Sequence, residues 1–344
     1  MNKAAYFLRV LSGVRYSKWK PILDRAHDIS GRSRAWLAAD MIRCGLKYGC
    51  GYHDYIQFGM YDLTEEQKAT MVTRVVSREL MAILNDDSQA YVLDDKGEFA
   101  RRYARFLKRD ILDLKTASEG EIDAFLAKHE AFFCKPQEGS CGHGCFVYEV
   151  DPAKDRAGFL ADMQAQGVGV CEEILAQHSE QAEFNPSSLN CVRIITLIDS
   201  QKGEPHVIYA VQKFGTKDVV VDNYGPGGIG CRVNVETGVV DWPAVIGEGY
   251  LRETFTVHPT SGKQLVGYKI PFFREACEMC CEAALVTPSL RYVGWDVGIT
   301  PDGPAIVEGN NFTDYLFYQH VPQTPDGIGM LPVFEKYVPE YKRK

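Results

Sequence analysis

Two apolar segments near the C-terminal end of this chain limit its possible folds more than any other part of the sequence. Both segments contain acidic residues at defined positions. The stretch reads GWDVGITPDGPAIVEGNN. Pro301, Asp302 and Gly303 suit a three-residue hairpin loop, because proline fixes a negative φ and glycine can take the left-handed position. With that loop, counting outwards places Asp296 opposite Glu308. The pattern therefore predicts an antiparallel hairpin with two facing carboxylates.

Facing carboxylates repel, and like charges directly opposite each other destabilise a sheet. Asn310 shares a face with Glu308, because strand side chains alternate, and it lies diagonally across from Asp296. Carboxylate and amide oxygens suit Mg²⁺, which also takes phosphate oxygens from a nucleotide. The alternative is an exposed hairpin with solvated acids, but apolar neighbours such as Trp295 and Ile306 favour a buried strand pair. The hairpin predicts a magnesium site at Asp296, Glu308 and Asn310.

A glycine-rich loop lies between two apolar strands earlier in the chain. The first strand ends at Lys135, and Gly139, Gly142 and Gly144 follow before the second strand begins. Glycines let backbone N–H groups approach phosphate oxygens, and lysine adds a point charge. The spacing fits neither a P-loop nor a dinucleotide-binding fingerprint. By itself such a loop is usually only a turn; its occurrence together with the acidic hairpin favours a phosphate site.

Two basic residues lie in otherwise apolar strands. Arg193 begins one strand and Lys213 ends the next, so an antiparallel pair brings them together. Charged groups among apolar side chains need partners. Phosphate is one possible partner, and arginine binds it in a bidentate manner; pairing with structural acids is equally compatible with these residues. A loop containing Asn223 and Gly227 follows and is also able to contact an anion.

The order of the predicted elements indicates an α+β protein. The first third is mainly helical, a small mixed unit with the glycine loop follows, and strands dominate the last part. We expect three regions: a helical N-terminal region at 1–115, a small lid subdomain at 116–178, and a C-terminal subdomain with the acidic hairpin at 179–344. Helices are predicted around residues 17–30, 32–49, 63–84 and 94–114 from apolar residues at helical spacing.

Composition limits the classes of function. The net charge of -8 argues against non-specific nucleic-acid binding. Eleven cysteines without regular spacing favour a reducing cytoplasm over a disulfide-linked secreted protein. No apolar run approaches the roughly 20 residues that span a bilayer. The basic, amphipathic N-terminal stretch predicts a helix that docks on the protein, with loose attachment to an anionic membrane as the less favoured alternative.

These motifs, in this order, resemble the ATP-grasp superfamily, and more closely the sugar-transfer-associated ATP-grasp family of bacterial polysaccharide-related proteins. The resemblance extends from about Tyr16 to Phe317. It rests on six stretches: DDKGEFARRYARFLKRD, FCKPQEGSCGHGC, EEILAQH, NPSSLNCVRIITL, VDNYGPGGI and GWDVGITPDGPAIVEGNN. It implies an ATP-grasp fold, in which two α+β subdomains grip ATP, with ATP and Mg²⁺ as cofactors.

The resemblance also implies roles for individual residues. Phosphate binding falls to Lys96 and Lys135, with the loop of Gly139, Ser140, Gly142 and Gly144 closing over the triphosphate. Adenine is expected at Glu172 and at the backbone of Glu173 and Ile174, and the ribose near Glu180. Catalytic positioning of the transferred phosphoryl group is expected from Arg193, Lys213 and Asn223. Magnesium is expected at Asp296, Glu308 and Asn310.

The implied reaction is ATP-dependent ligation through an acyl phosphate, in polysaccharide biosynthesis. The partners would be a sugar acid or other small-molecule acid and an amine or related nucleophile. A kinase on the same scaffold, which stops at phosphoryl transfer to a small molecule or sugar, is the alternative enzyme. A non-catalytic nucleotide-binding protein is the third possibility. The sequence leaves substrate identity and oligomeric state open.

Overall fold

The computed structural model describes residues 16–139, 143–216, 227–246 and 253–343. Asn223, Ser140 and Gly142 lie outside these residues, as does most of the basic N-terminal stretch. The chain divides into two compact units. One, the helical unit, contains the described residues up to 83 and from 314 onwards, with 253–254; the other, the sheet unit, contains the described residues of 84–247 and 255–313. The expected boundaries near residues 115 and 178 stay predictions.

The helical unit is built from short amphipathic helices. They are α1 (Tyr16–Ser30), α2 (Arg34–Tyr48), α3 (Tyr52–Gln57), α4 (Glu65–Thr70), α5 (Arg74–Leu84) and, near the C-terminal end, α12 (Leu331–Tyr337). Ser33 caps the start of α2 by accepting from Trp36 N, and left-handed Gly49 ends that helix. The single helix predicted at 63–84 is wrong: the chain leaves helical geometry between α4 and α5, where Met71 is extended.

Two acids are buried inside the helical unit, and both have several partners. Asp54, 1% exposed, accepts from the backbone N–H groups of Gly51 and Arg74 and from the Tyr315 hydroxyl at 2.8–2.9 Å. Asp40 accepts from Tyr55 and from a neighbouring arginine, and lies near a buried lysine. Buried polar groups require such partners, so these acids cross-link the helices.

The sheet unit contains two antiparallel sheets. The smaller has the order β1-β4-β2-β3, with β1 (Ile111–Asp113), β2 (Ala131–Lys135), β3 (Phe146–Glu149) and β4 (Val170–Glu173). Its buried side packs against α8 (Glu119–Lys128) and α9 (Arg156–Ala165), through a cluster centred on Phe132, Phe125 and Phe159. The two strands predicted on either side of the glycine loop are confirmed as β2 and β3.

The larger sheet has seven strands in the order β11-β10-β5-β6-β7-β8-β9. They are β5 (Val192–Ile198), β6 (Pro205–Phe214), β7 (Ile229–Val233), β8 (Ala244–Ile246), β9 (Thr254–Phe255), β10 (Tyr292–Thr300) and β11 (Gly303–Asn310). Both predicted hairpins, β5–β6 and β10–β11, are present and are joined through β5 and β10. Strands β7 to β9 were not predicted individually, because they are short and interrupted by turns.

Helices cover one side of the larger sheet. The remaining helices are α6 (Tyr91–Asp94), α7 (Lys96–Leu107), α10 (Ser179–Ala182) and α11 (Phe273–Ala284). Helix α7 packs on β11, and α11 packs on β11, β5 and β6. Trp295, fully buried, lies 5.4 Å from the ring of Tyr103 and donates its indole N–H to Thr196 at 2.8 Å. This core holds the acidic hairpin rigidly from one face.

The observed mixture of helices and antiparallel sheets confirms the α+β class, with helices dominating the N-terminal region as expected. Among the described helices, none combines the length and the apolar character that a membrane span requires. The ten cysteines within the described ranges are all free thiols.

Candidate active site

The acidic hairpin has the predicted pairing of its two acids, but its turn and its strand geometry differ from the prediction. Its turn has two residues, because Thr300 pairs with Gly303, whereas a three-residue loop was predicted. Left-handed Gly303 (φ 111°) accommodates this tight turn. A bulge then occurs in β11: Val297 pairs with Ile306, and Asp296 pairs with Glu308. The shorter turn and the bulge compensate each other, so the two carboxylates face each other as the sequence predicted.

Asp296 is neutralised by the two strand cations. Arg193 Nε and Nη2 lie 2.7 and 2.6 Å from the two carboxylate oxygens of Asp296, and Lys213 Nζ lies 3.1 Å away. Burial by itself would raise the pKa of Asp296, but the Arg193 and Lys213 charges outweigh burial and hold that pKa below its usual value. Of the two alternatives for these cations, the structure has the pairing with an acid, and that acid is the candidate metal ligand.

Glu308 is less completely paired. Its nearest cation contact is Arg193 Nη2 at 3.8 Å, and 42% of its side-chain surface is accessible. Loss of hydration inside the cleft, followed by the adjacent Asp296 charge, raises the pKa of Glu308. Asn310 donates its side-chain N–H to Gly294 O at 3.3 Å and lies 3.5 Å from a Glu308 oxygen. Two carboxylates and one amide thus supply only oxygen ligands at one end of the hairpin.

A second ionic cluster joins the smaller sheet to this hairpin. Lys135, on β2, lies 2.8 Å from Glu172 on β4. Arg109, just before β1, contacts the same carboxylate at 2.9–3.0 Å and also donates to the carbonyls of Ile306 and Val307 at 2.7 and 3.1 Å. Burial opposes ionisation of Glu172, but Arg109 and then Lys135 lower its pKa below the ordinary value. Arg109 was not predicted as a site residue, because the sequence was interpreted as one Arg- and Lys-rich helix over 94–114. That prediction is wrong at its end, since α7 ends at Leu107 and β1 follows.

One cavity collects many of the predicted residues. Its volume is about 310 Å³. Among the predicted site residues, it is lined by Lys96, Lys135, Gly139, Glu172, Glu173, Ile174, Asp296 and Glu308. A second cavity of about 500 Å³ shares Lys96, Lys135, Gly139, Glu172 and Glu308 and adds Asn310. A cleft that has cationic side chains close to a pair of carboxylates can bind a polyanion through the cations and a divalent cation through the carboxylates.

The other predicted residues lie apart from these two linings. Arg193 contacts the lining residues Asp296 and Glu308, and Lys213 contacts Asp296. Glu180 is exposed on the short helix α10. Gly144 is left-handed (φ 73°) at the described end of the glycine loop, and Gly139 is positive in φ (133°) at the other end. Lys96 Nζ donates to Gly139 O at 3.1 Å, which links the start of α7 to this loop. The structural placement of Asn223, Ser140 and Gly142 falls outside the described residues.

Gln177 is a further lining residue that the sequence analysis missed. Its side-chain amide donates to the carbonyls of Asn185 and Ser188 at 3.0 and 3.1 Å and accepts from Asn190 N at 2.7 Å. These bonds hold the segment at 185–190 so that Ser187 and Ser188 line the cavity. A glutamine carries no signal of this role in sequence, because its partners are backbone groups of a loop.

Comparison with known proteins gives one family match. Residues 75–333 match the sequence profile of the family described as "Sugar-transfer associated ATP-grasp". A search of curated proteins found no match.

Several solved structures are similar in fold. The ATP-grasp ligase PsnB with a minimal precursor shares 14% identity over 70% of this chain and 63% of that chain, with a TM-score of 0.37. D-cycloserine synthetase DcsG shares 14% identity over 67% and 65%, with a TM-score of 0.38. The D-alanine–D-alanine ligase from Coxiella burnetii shares 10% over 72% and 62%, with a TM-score of 0.39. The chain spans less than two-thirds of the length of each of these three proteins.

Proposed function

Because the chain belongs to the sugar-transfer-associated ATP-grasp family, whose fold it adopts, we propose that it is an ATP-dependent ligase with its nucleotide site in the cleft between β2, β4 and the acidic hairpin. The observation that carries this proposal is the convergence of Lys135, Asp296 and Glu308 on one cavity. A structural hairpin with solvated acids would place those carboxylates in solvent, whereas Asp296 is 3% exposed and neutralised by two cations.

The nucleotide would lie along this cleft. Phosphate oxygens would contact Lys96 and Lys135, with the glycine loop from Gly139 to Gly144, which includes Ser140 and Gly142, above them. The adenine would lie against β4, where Glu172 and the backbone of Glu173 and Ile174 line the cavity, and the ribose would extend towards Glu180. Strand β4 supports this orientation because its last residues line the cavity in which Lys135 also lies.

The donor set at the hairpin fits a magnesium ion. Glu308, Asn310 and Asp296 offer only oxygen ligands, as this cation prefers. When bound, Mg²⁺ would supply charge neutralisation for the phosphate oxygens. Arg193 and Lys213 neutralise the negative charge of Asp296. Next to the transferred phosphoryl group, the same two cations would also offset the negative charge of that group. Asn223, which follows β6 in the sequence, would complete this set of catalytic residues.

In the proposed reaction, a substrate carboxylate oxygen attacks the γ-phosphorus of ATP, and the bond from that phosphorus to the bridging oxygen of ADP breaks. The resulting acyl phosphate is attacked at its carbonyl carbon by an amine or a related nucleophile. Phosphate then leaves, and the nucleophile loses its proton. The protein would contribute positioning and electrostatic stabilisation, as is usual for phosphoryl transfer.

The family description favours an acid connected with sugar transfer, such as a sugar acid or an amino acid, in polysaccharide biosynthesis. The cytoplasm, where ATP is available, is the proposed location. A kinase that uses the same cleft would differ only in its acceptor, and a non-catalytic nucleotide-binding protein would lack turnover.

Product analysis separates these functions. The purified protein would be incubated with Mg²⁺–ATP and panels of sugar acids and amino acids, with and without amines. A ligase releases ADP and phosphate together and forms an amide or, with hydroxylamine, a hydroxamate. A kinase gives ADP with a stable phosphorylated acceptor and no free phosphate. Metal-dependent nucleotide binding that Asp296→Ala and Glu308→Ala leave unchanged would contradict the proposed site.

A further inference from the structure

Arg109 is a buried arginine with several partners beside the cleft. Its side chain is 2% exposed. Nη1 donates to Leu107 O and Ile306 O at 3.1 and 2.7 Å, Nη2 donates to Val307 O at 3.1 Å, and Nε donates to Glu172 at 3.0 Å. Nη2 also lies 2.9 Å from the same Glu172 oxygen, as an ion pair. A guanidinium has five N–H donors. Four of the five thus have a hydrogen-bond acceptor, in a planar arrangement that a lysine ammonium cannot reproduce.

Two of these acceptors belong to the bulge of β11. Val307 is the extra residue between the pairs Val297–Ile306 and Asp296–Glu308. After the two-residue turn, a regular ladder would place Val307 opposite Asp296 and would turn Glu308 to the opposite face of the sheet. Because a bulge leaves ladder groups unpaired, the donation from Arg109 to the carbonyls of Ile306 and Val307 stabilises the conformation that directs Glu308 into the cleft.

The other end of the same guanidinium fixes Glu172. This carboxylate is 6% exposed and accepts from both Arg109 and Lys135. Arg109 therefore connects the bulge on the larger sheet to the lysine on the smaller sheet through one buried carboxylate. A displacement of Arg109 would alter the hairpin acid and the cavity lysine together.

We propose that Arg109 is a positioning residue that holds Glu308 at the metal end of the cleft and Lys135 at the phosphate end, so that metal and nucleotide bind cooperatively. This inference rests on the proposed function, because it assumes that the cleft binds a metal–nucleotide pair. Arg109 acts through Glu172 and through the backbone of the bulge.

The test measures how strongly Mn²⁺ increases ADP affinity, with calorimetry for ADP and electron paramagnetic resonance for bound Mn²⁺. The full chain would be compared with Arg109→Lys and Arg109→Gln. Arg291→Lys is the matched control, because Arg291 donates through Nε and Nη2 to the carbonyl of Ile198, at the end of β5 remote from Arg193. Circular dichroism and urea unfolding establish that each variant is folded.

We expect Mn²⁺ to strengthen ADP binding by the wild type and by Arg291→Lys to the same extent. In the Arg109 variants, this enhancement should fall about 10–100-fold, which is the usual effect of removing a partner that orients metal ligands. Metal-free ADP affinity should fall by a smaller factor, because the Lys135 charge remains even when Arg109 no longer fixes Glu172 beside it, and general destabilisation would not produce this selective loss.

Other outcomes would overturn one proposal or the other. If Mn²⁺ increases the ADP affinity of a folded Arg109 variant as much as that of the wild type, the positioning role is contradicted and the proposed function stays intact. Failure of both Arg109 variants to fold, with Arg291→Lys folded, would make Arg109 a folding residue and would also overturn the inference. A wild type that binds ADP without any contribution from Mn²⁺ would contradict the proposed metal–nucleotide site itself.

Discussion

Asp54 in the helical unit and Glu308 in the sheet unit are both acids whose pKa is raised chiefly by loss of hydration. Asp54 accepts three hydrogen bonds at 2.8–2.9 Å and lines neither of the two cavities of the candidate site. Glu308 forms an ion pair with Arg193 at the longer distance of 3.8 Å and lines both cavities. A raised pKa therefore does not by itself identify a functional site. The feature that indicates such a site is an acid whose accessible acceptor oxygens face a cleft.

The largest effect that would test this contrast is on catalysis. Glu308→Ala should reduce metal-dependent ATP turnover by about 100–1000-fold, because the magnesium ion that would neutralise the transferred phosphate would lose a ligand. Asp54→Ala should leave the turnover of the folded protein near wild type. Both rates would be measured as ADP release at saturating Mg²⁺. A Glu308→Ala variant with wild-type turnover would remove the functional distinction between these two acids.

Folding stability should show the next largest effect. Asp296→Ala should lower the free energy of unfolding by about 3–5 kcal/mol, because Arg193 and Lys213 would lose their shared buried partner. Glu308→Ala in the metal-free protein should cost far less, because Glu308 repels Asp296. Urea unfolding of both variants without metal measures the difference. Equal losses would show that Glu308 is as completely paired as Asp296.

A smaller effect is expected in the helical unit. Asp54→Asn should cost about 1–3 kcal/mol, because one carboxylate oxygen accepts from both Gly51 N and Arg74 N and an amide leaves a buried donor poorly matched. Thermal unfolding measures the loss, and ADP binding with Mn²⁺ should stay unchanged. A change in that binding without a change in stability would contradict the structural role of Asp54.

The smallest effect concerns pH. Because the pKa of Glu308 is raised in the folded protein, the folded state holds this proton to higher pH than the unfolded chain, and stability falls as pH rises through the folded pKa. Glu308→Gln should remove this decline and stabilise the metal-free protein by about 0.2–1 kcal/mol near neutral pH. Urea midpoints of both proteins from acidic to neutral pH give the comparison. A difference that shrinks as pH rises would have the wrong sign.

Much of the candidate site could be predicted from sequence, because the residues that form each part of it lie close together in the chain. The alternation in β10 and β11 and the Pro-Asp-Gly turn were sufficient to place Asp296 opposite Glu308, although the turn length was wrong. Lys135 and the glycine loop were recognisable because strand, turn and strand are adjacent in the chain. The long helix at 63–84 was predicted wrongly, since apolar spacing continues through the break at Met71 and only packing selects an extended residue there.

The α+β class, the two main hairpins and the chemical types of the acids and cations could be read from the amino-acid sequence, because they follow from side-chain periodicity and turn chemistry within short segments. Three features required the folded structure: Arg193 and Lys213 both pair with Asp296, β11 is bulged at Val307, and Arg109 joins this bulge to Glu172. These contacts link residues up to 198 positions apart. They depend on how strands are ordered across a sheet and how two sheets meet, which no local pattern encodes.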